Sequence, residues 1–202
     1  MKSSKEHWER IYSTKKPYEL SWTEVIPKTS LEFIHGLNLP RDSAIIDIGG
    51  GESRLADYLI EEGYENVSVL DISEIALNKA KERLGKNAYK INWIVCDILE
   101  FKPRTKYNLW HDRATFHFLT TKEQIKKYLL VAKKSVINYL TVSTFSDKGP
   151  EKCSGLDVCR YNENELQNEL HDGFEKIKCI TENHITPFNT AQNFLYCSFK
   201  RV

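Results

Sequence analysis

The chain has 202 residues, with 29 basic against 28 acidic side chains, a formal charge of +1, 41% hydrophobic residues and 28% charged ones. That length fits one domain, and that apolar share excludes a disordered chain. A near-zero balance excludes a global field that would draw the protein to nucleic acid or an anionic membrane, so neither is expected as a partner.

The first residues, Met1 to His7, are polar and lack the apolar stretch of a secretory signal, and no later run is long enough to span a bilayer. A short helix is predicted from Lys5 to Tyr12 with Ser3 as its cap, then a loop around Pro17, then a helix near Pro27 to His35. These elements read as a short N-terminal helical lid, residues 1–40, on a core of residues 41–202, all in a single domain.

From Ala44 the pattern alternates. Ala44–Ile48, Asn66–Asp71 and Ile91–Asp97 are short apolar runs that suit strands covered on both faces. Between them, Ser53–Glu62 and Glu74–Leu84 show a helical apolar face, the second capped by Ser73, with Gly63 and Gly85 as stops. A fourth strand is expected at Tyr107–His111, then a helix opened by the capping-box pattern Thr120 to Glu123 and running to about Lys133. A fifth strand covers Val136–Phe145, and Asn162 with Glu165 opens a further helix ended by Gly173. Phe174–Thr186 and Asn193–Lys200 then form strands joined by a short turn, which makes them antiparallel. The prediction is an α/β fold with a mostly parallel sheet, helices on both faces and a C-terminal antiparallel hairpin strand. The five cysteines, 96, 153, 159, 179 and 197, form no CxxC pair, so reduced thiols in a cytoplasmic protein are expected, with no metal site.

The chemistry gathers where strands end. Asp47-Ile48-Gly49-Gly50-Gly51-Glu52-Ser53 lies between a strand and a helix, where glycines permit a tight turn and close ligand approach. A dinucleotide fingerprint would need a third glycine where Arg54 stands. A carboxylate two residues before Gly49 instead suits a cofactor with an α-amino group, because it accepts charge-assisted hydrogen bonds from an ammonium. Asp71, followed by Ile72, ends the second strand, where it either accepts ribose hydroxyls or stabilises the next helix start. Asp97 is placed to accept an adenine amino group, with the Ile98 backbone at the ring edge, or else to shape a turn. Three acids at the ends of consecutive strands mark the crevice where α/β sheets bind ligands.

This ordered set resembles the motifs of class I S-adenosylmethionine-dependent methyltransferases, and the resemblance implies their Rossmann-like seven-stranded fold and S-adenosylmethionine as cofactor. Ser53 departs from a further glycine, and Lys133-Lys134-Ser135 from a common Pro-Gly-Gly turn. The opening His7 to Tyr12, with Pro17-Tyr18-Glu19 and Trp22, resembles lysine methyltransferases of elongation factor 1A and citrate synthase. That likeness implies that Trp8, Tyr12 and Trp22 line the cofactor pocket, where aromatic faces suit a sulfonium; the alternative is that they pin the lid. Leu109 to Ala114 resembles the W-D-R-G segment of thiopurine and thiol methyltransferases, with His111 inserted and Ala114 in place of glycine. By this resemblance Asp112 and Arg113 border the transferred methyl group, Arg113 touching the cofactor through its backbone, unless they form a structural ion pair. Asp112 and His117 are the candidate catalytic residues, His117 as a base or, alternatively, as a satisfied buried histidine. The loop Asp147–Gly155 is expected to border the substrate, while His184 and Gln192 are weaker candidates.

The expected function is methyl transfer to a small-molecule sulfur, nitrogen or oxygen. A protein lysine is the alternative acceptor, and a non-catalytic nucleotide-binding module the third reading.

Overall fold

The computed structural model describes residues 4–202, so the expected Ser3 cap lies outside the described residues. Seven strands form one sheet: β1 (Ala44–Ile48), β2 (Asn66–Asp71), β3 (Ile91–Val95), β4 (Tyr107–Arg113), β5 (Val136–Phe145), β8 (Phe174–Ile185) and β9 (Ala191–Arg201). Their order is β3-β2-β1-β4-β5-β9-β8. β1 to β5 pair in parallel, and β9 runs antiparallel to both of its neighbours. The chain steps outward from β1 to β3, then returns to lay β4 on the other side of β1. The crevice at that reversal is where such sheets hold ligands.

Alternation within each strand builds two cores. Ile45, Val67, Val69 and Leu109 pack against α2 (Lys28–His35) and α3 (Leu55–Glu61), through Leu31, Ile34, Leu55 and Leu59. Ile46, Leu70 and Trp110 face the opposite layer, where α5 (Lys122–Ser135) and α6 (Glu163–Leu170) contribute Ile125, Tyr128, Leu166 and Leu170. Each fully buried aliphatic or aromatic side chain stabilises by roughly 1.5–3 kcal/mol. α4 (Glu74–Leu84) caps as predicted, Ser73 Oγ accepting from the Ala76 amide at 3.1 Å.

Several details differ from the sequence-based expectations. β4 continues two residues further, so Asp112 and Arg113 belong to the strand, while β3 ends at Val95 and leaves Asp97 in the following loop. The cap of α5 sits one residue later: Thr121 pairs reciprocally with Gln124, because both registers of the motif are present in the chain. A two-stranded hairpin, β6 (Lys152–Cys153) and β7 (Leu156–Asp157), occupies the loop after β5. α2 belongs to the core, with Ser30, Leu31 and Ile34 buried, so only α1 (Ser4–Thr14) and the strap of residues 15–27 form the lid.

The expectation of five reduced cysteines is corrected. Cys179 and Cys197 stand opposite each other in the β8–β9 register and are joined as a disulfide. Spacing alone could not reveal a pairing that hairpin register creates. The reduced-thiol premise for a cytoplasmic protein holds only for Cys96, Cys153 and Cys159. Among the described residues, no helix is long and apolar enough to cross a membrane.

Candidate active site

The glycine corner after β1 is pinched from two sides. Gly49 has φ +66°, and a Cβ there would meet Thr115 Oγ1 at 1.8 Å. Gly51 has φ +47°, and a Cβ there would stand 2.6 Å from the Tyr12 hydroxyl of α1. The amides of Gly49 and Gly50 both donate to the Leu70 carbonyl, at 2.7 and 3.2 Å, which locks the corner to β2.

Asp71 is buried beside that corner, its Oδ1 accepting from the Ser73 amide at 2.8 Å. Burial pushes its carboxyl up to about 7; the Ser73 and Gly51 amides oppose that rise, and the charges of Asp47 and Glu9 add to it. Asp97 serves a turn, accepting from the Leu99 amide at 2.9 Å, and also faces the same cavity as Asp71, Ile72 and Ile98. This cavity spans about 960 Å³ with its open mouth included. Trp8, Tyr12 and Trp22 roof it, in ring contacts of 5.8 Å (Trp8 to Trp22) and 6.3 Å (Tyr12 to Trp22). Phe118, Phe145, Cys153 and Phe194 also line it.

A second cavity, about 600 Å³, lies on the other side of the corner and shares Tyr12, Trp22, Gly49 and Arg113 with the first. Asp47, Gly50, Glu52 and His111 line it. Glu52 Oε1 pairs with Lys79 at 3.1 Å, while Oε2 is buried with no partner. Arg113 Nε donates to the Tyr196 hydroxyl at 3.1 Å, and Nη1 to the Trp22 carbonyl at 3.0 Å. Its Nη2 lies 3.2 Å from Glu24 without hydrogen-bond alignment. A buried acceptor without a hydrogen-bond partner and a guanidinium paired with Glu24 thus border one small chamber.

The two catalytic candidates do not reach either cavity. Asp112 is fully buried, accepting from the Thr115 and Phe116 amides at 2.9 and 3.1 Å and from the Tyr128 hydroxyl at 2.7 Å. These bonds fix the turn after β4; burial lifts its carboxyl to about 6. His117 sits behind the wall, its ring 4.6 Å from Phe145 and 4.5 Å from Phe118, with Nδ1 accepting from the Phe145 amide at 3.3 Å. Burial, helped by the charge of Arg113, lowers it to about 3, so it stays neutral at physiological pH. The strand's longer reach explains the change for Asp112: side chains alternate across a sheet, and Arg113, not Asp112, faces the crevice. Ala114 holds φ +69°, the conformation that favours the glycine whose place it takes in the W-D-R-G resemblance.

His184 donates to the Ser21 carbonyl at 2.7 Å and so pins the strap. Glu52, Thr115, Phe145 and Phe194 escaped the sequence reading. The last two are apolar residues near sheet ends and carry no chemical signal distinct from core residues.

A methyltransferase-domain model matches residues 45–135. The mouse eEF1A lysine and N-terminal methyltransferase is 28% identical over 130 residues, which make up 61% of this chain and 18% of that protein. The chain thus aligns with less than a fifth of that relative's length. Mouse EEF1A lysine methyltransferase 2 is 24% identical over 189 residues, covering 85% of this chain and 72% of that one. Among solved structures, the Burkholderia thailandensis 1,6-didemethyltoxoflavin-N1-methyltransferase, with bound 1,6-didemethyltoxoflavin and S-adenosylhomocysteine, shares the fold at TM-score 0.70 and 16% identity, over 98% of this chain and 84% of that one. Residues 45–135 thus match a methyltransferase-domain model, and the chain shares the fold of solved methyltransferases. The matched span ends at the close of α5 and includes Asp47, the glycine corner, Asp71 and Asp97. The residues that β5, the β6–β7 hairpin and β9 supply to the larger cavity lie beyond it.

Proposed function

We propose that the protein transfers a methyl group from S-adenosylmethionine to a small molecule held under the lid. The observation that carries this reading is the pair of cavities meeting at Tyr12, Trp22, Gly49 and Arg113. Their residues fit the cofactor's parts in order. Asp71 and Asp97 accept from ribose hydroxyls and the adenine edge in the larger cavity. Across the corner, the Glu52 Oε2 that lacks a hydrogen-bond partner and the Asp47 carboxylate suit an ammonium, and the Arg113 guanidinium, beside Glu24, suits a carboxylate. Between them the faces of Trp8, Tyr12 and Trp22 suit a sulfonium. When bound, this group supplies a methyl carbon already activated toward nucleophiles.

The chain's own contribution is then orientation and a dry chamber. Phe118, Phe145 and Phe194 present apolar walls to the acceptor, and Arg113 and His184 hold the strap that roofs it. Among the described residues no imidazole lines this cavity, and its carboxylates are Asp71 and Asp97, which this reading gives to the ribose and the adenine. The acceptor must therefore arrive with a free electron pair, which favours a metabolite over the protonated amine of a lysine side chain. The likeness to a lysine methyltransferase over 85% of the chain supports the second reading, a protein acceptor. Transfer of a tritiated methyl group, run against a metabolite panel and against cell-lysate proteins, tests both. Label in small molecules alone supports the proposal; label in protein alone overturns it.

A further inference from the structure

The smaller cavity contains a hydrogen-bonded chain that the cofactor reading does not require. Asp47 and His111 are direct partners in the β1–β4 register, and Asp47 Oδ1 lies 2.7 Å from His111 Nδ1. His111 Nε2 lies 3.0 Å from the hydroxyl of Ser30, in the first turn of α2. The three residues come from three elements, are exposed by only 3%, 3% and 2%, and all border the cavity.

A carboxylate, an imidazole and a hydroxyl in this sequence resemble a hydrolytic relay, in which the serine would be a nucleophile. The surroundings argue otherwise. A hydrolytic serine needs free donors for a developing oxyanion, and the nearby Gly49 and Gly50 amides are both committed to the Leu70 carbonyl. The chain instead has the form of a support. Nδ1–H donates to Asp47, while Ser30 O–H donates to Nε2, so the ring is held from both ends and one carboxylate oxygen is fixed. The other oxygen, Oδ2, packs under Gly50, 2.7 Å from where a Cβ would stand. A ligand group that approaches the corner meets an acceptor whose position is set in advance.

We propose that Ser30 and His111 are positioning residues that orient Asp47 to receive the ammonium of an α-amino-acid ligand moiety. This rests on the assignment of the smaller cavity to the amino-acid end of the cofactor. In this role both act through Asp47.

Calorimetric binding of two probes to the intact protein tests it: S-adenosylhomocysteine, and 5′-methylthioadenosine, which keeps the adenosyl thioether but lacks the amino-acid end. Ser30→Ala and His111→Phe should each weaken S-adenosylhomocysteine by about tenfold, as expected for a disturbed hydrogen bond to a charged group, and leave 5′-methylthioadenosine unchanged. His111→Asn, whose amide can donate to Asp47 in place of Nδ1, should recover most of the loss. Equal loss of both probes, or of neither, overturns the positioning role. Should the unaltered protein bind neither probe, the methyltransferase reading beneath it falls as well. Ser30→Ala removes a single hydroxyl, so the test survives if His111→Phe fails to fold.

Discussion

Replacing Asp71 by Asn keeps the shape of the carboxyl and removes its charge. In the free protein this group sits near neutrality, at about 7, because burial outweighs the two amides that favour the anion. In the proposed complex ribose hydroxyls donate to the anion, so binding would first have to remove a proton wherever the pH lies below that value. Each unit of acidity below about 7 then costs a factor of about ten in affinity, or ~1.4 kcal/mol. Calorimetric titration with S-adenosylhomocysteine between about pH 5.5 and 8.5 should show affinity climbing and then levelling. Asp71→Asn should bind more weakly by about 1–3 kcal/mol at the alkaline end and lose the slope. The effect on folding has the opposite sign. The native carboxyl keeps its proton up to about 7, whereas its ordinary value is 3.8, so its contribution to stability is full below 3.8 and is lost as pH rises through 7. That loss amounts to at most about 4 kcal/mol. A flat affinity profile in the unaltered protein, or a slope that persists in Asp71→Asn, would refute the reasoning.

Three further outcomes are expected. Asp112→Ala strands two backbone amides and the Tyr128 hydroxyl in the core, so thermal or urea unfolding should show a loss of about 3–5 kcal/mol, with S-adenosylhomocysteine affinity of the folded protein little changed. Gly51→Ala places a methyl group 2.6 Å from the Tyr12 hydroxyl at φ +47°; it should lower the melting temperature by the equivalent of about 1–3 kcal/mol and weaken the cofactor, and an unchanged affinity would separate the corner from the site. Cys179→Ser opens a link between residues 18 apart and should cost about 3 kcal/mol in denaturant unfolding, matched by reduction of the unaltered protein.

The order of elements was legible because burial on both sheet faces leaves apolar runs with sharp polar ends, and Asp47, Asp71 and Asp97 mark such ends. What escaped depends on register. A strand longer by two residues moved Asp112 from the crevice into a hydrogen-bonded turn support. Thr120 and Thr121 each begin a valid capping motif, and local sequence does not choose between them. The Cys179–Cys197 link follows from which residues the hairpin sets opposite each other. His111, read as an insertion in a borrowed motif, is the direct strand partner of Asp47, a fact visible only once β1 and β4 are laid side by side.

α1 has a second task beside roofing the cavity. Glu9 accepts from the Ser73 hydroxyl at 2.8 Å and from the Glu74 and Ile75 amides at 3.0 and 3.2 Å, at the very start of α4. The lid therefore completes a neighbouring helix, and lifting it would expose donors that nothing else in that turn satisfies. In the structure the lid is latched to the helix that begins three residues beyond Asp71, so lifting α1 would uncap that helix. Exchange of bound molecules and local melting at that one spot should then run on the same clock.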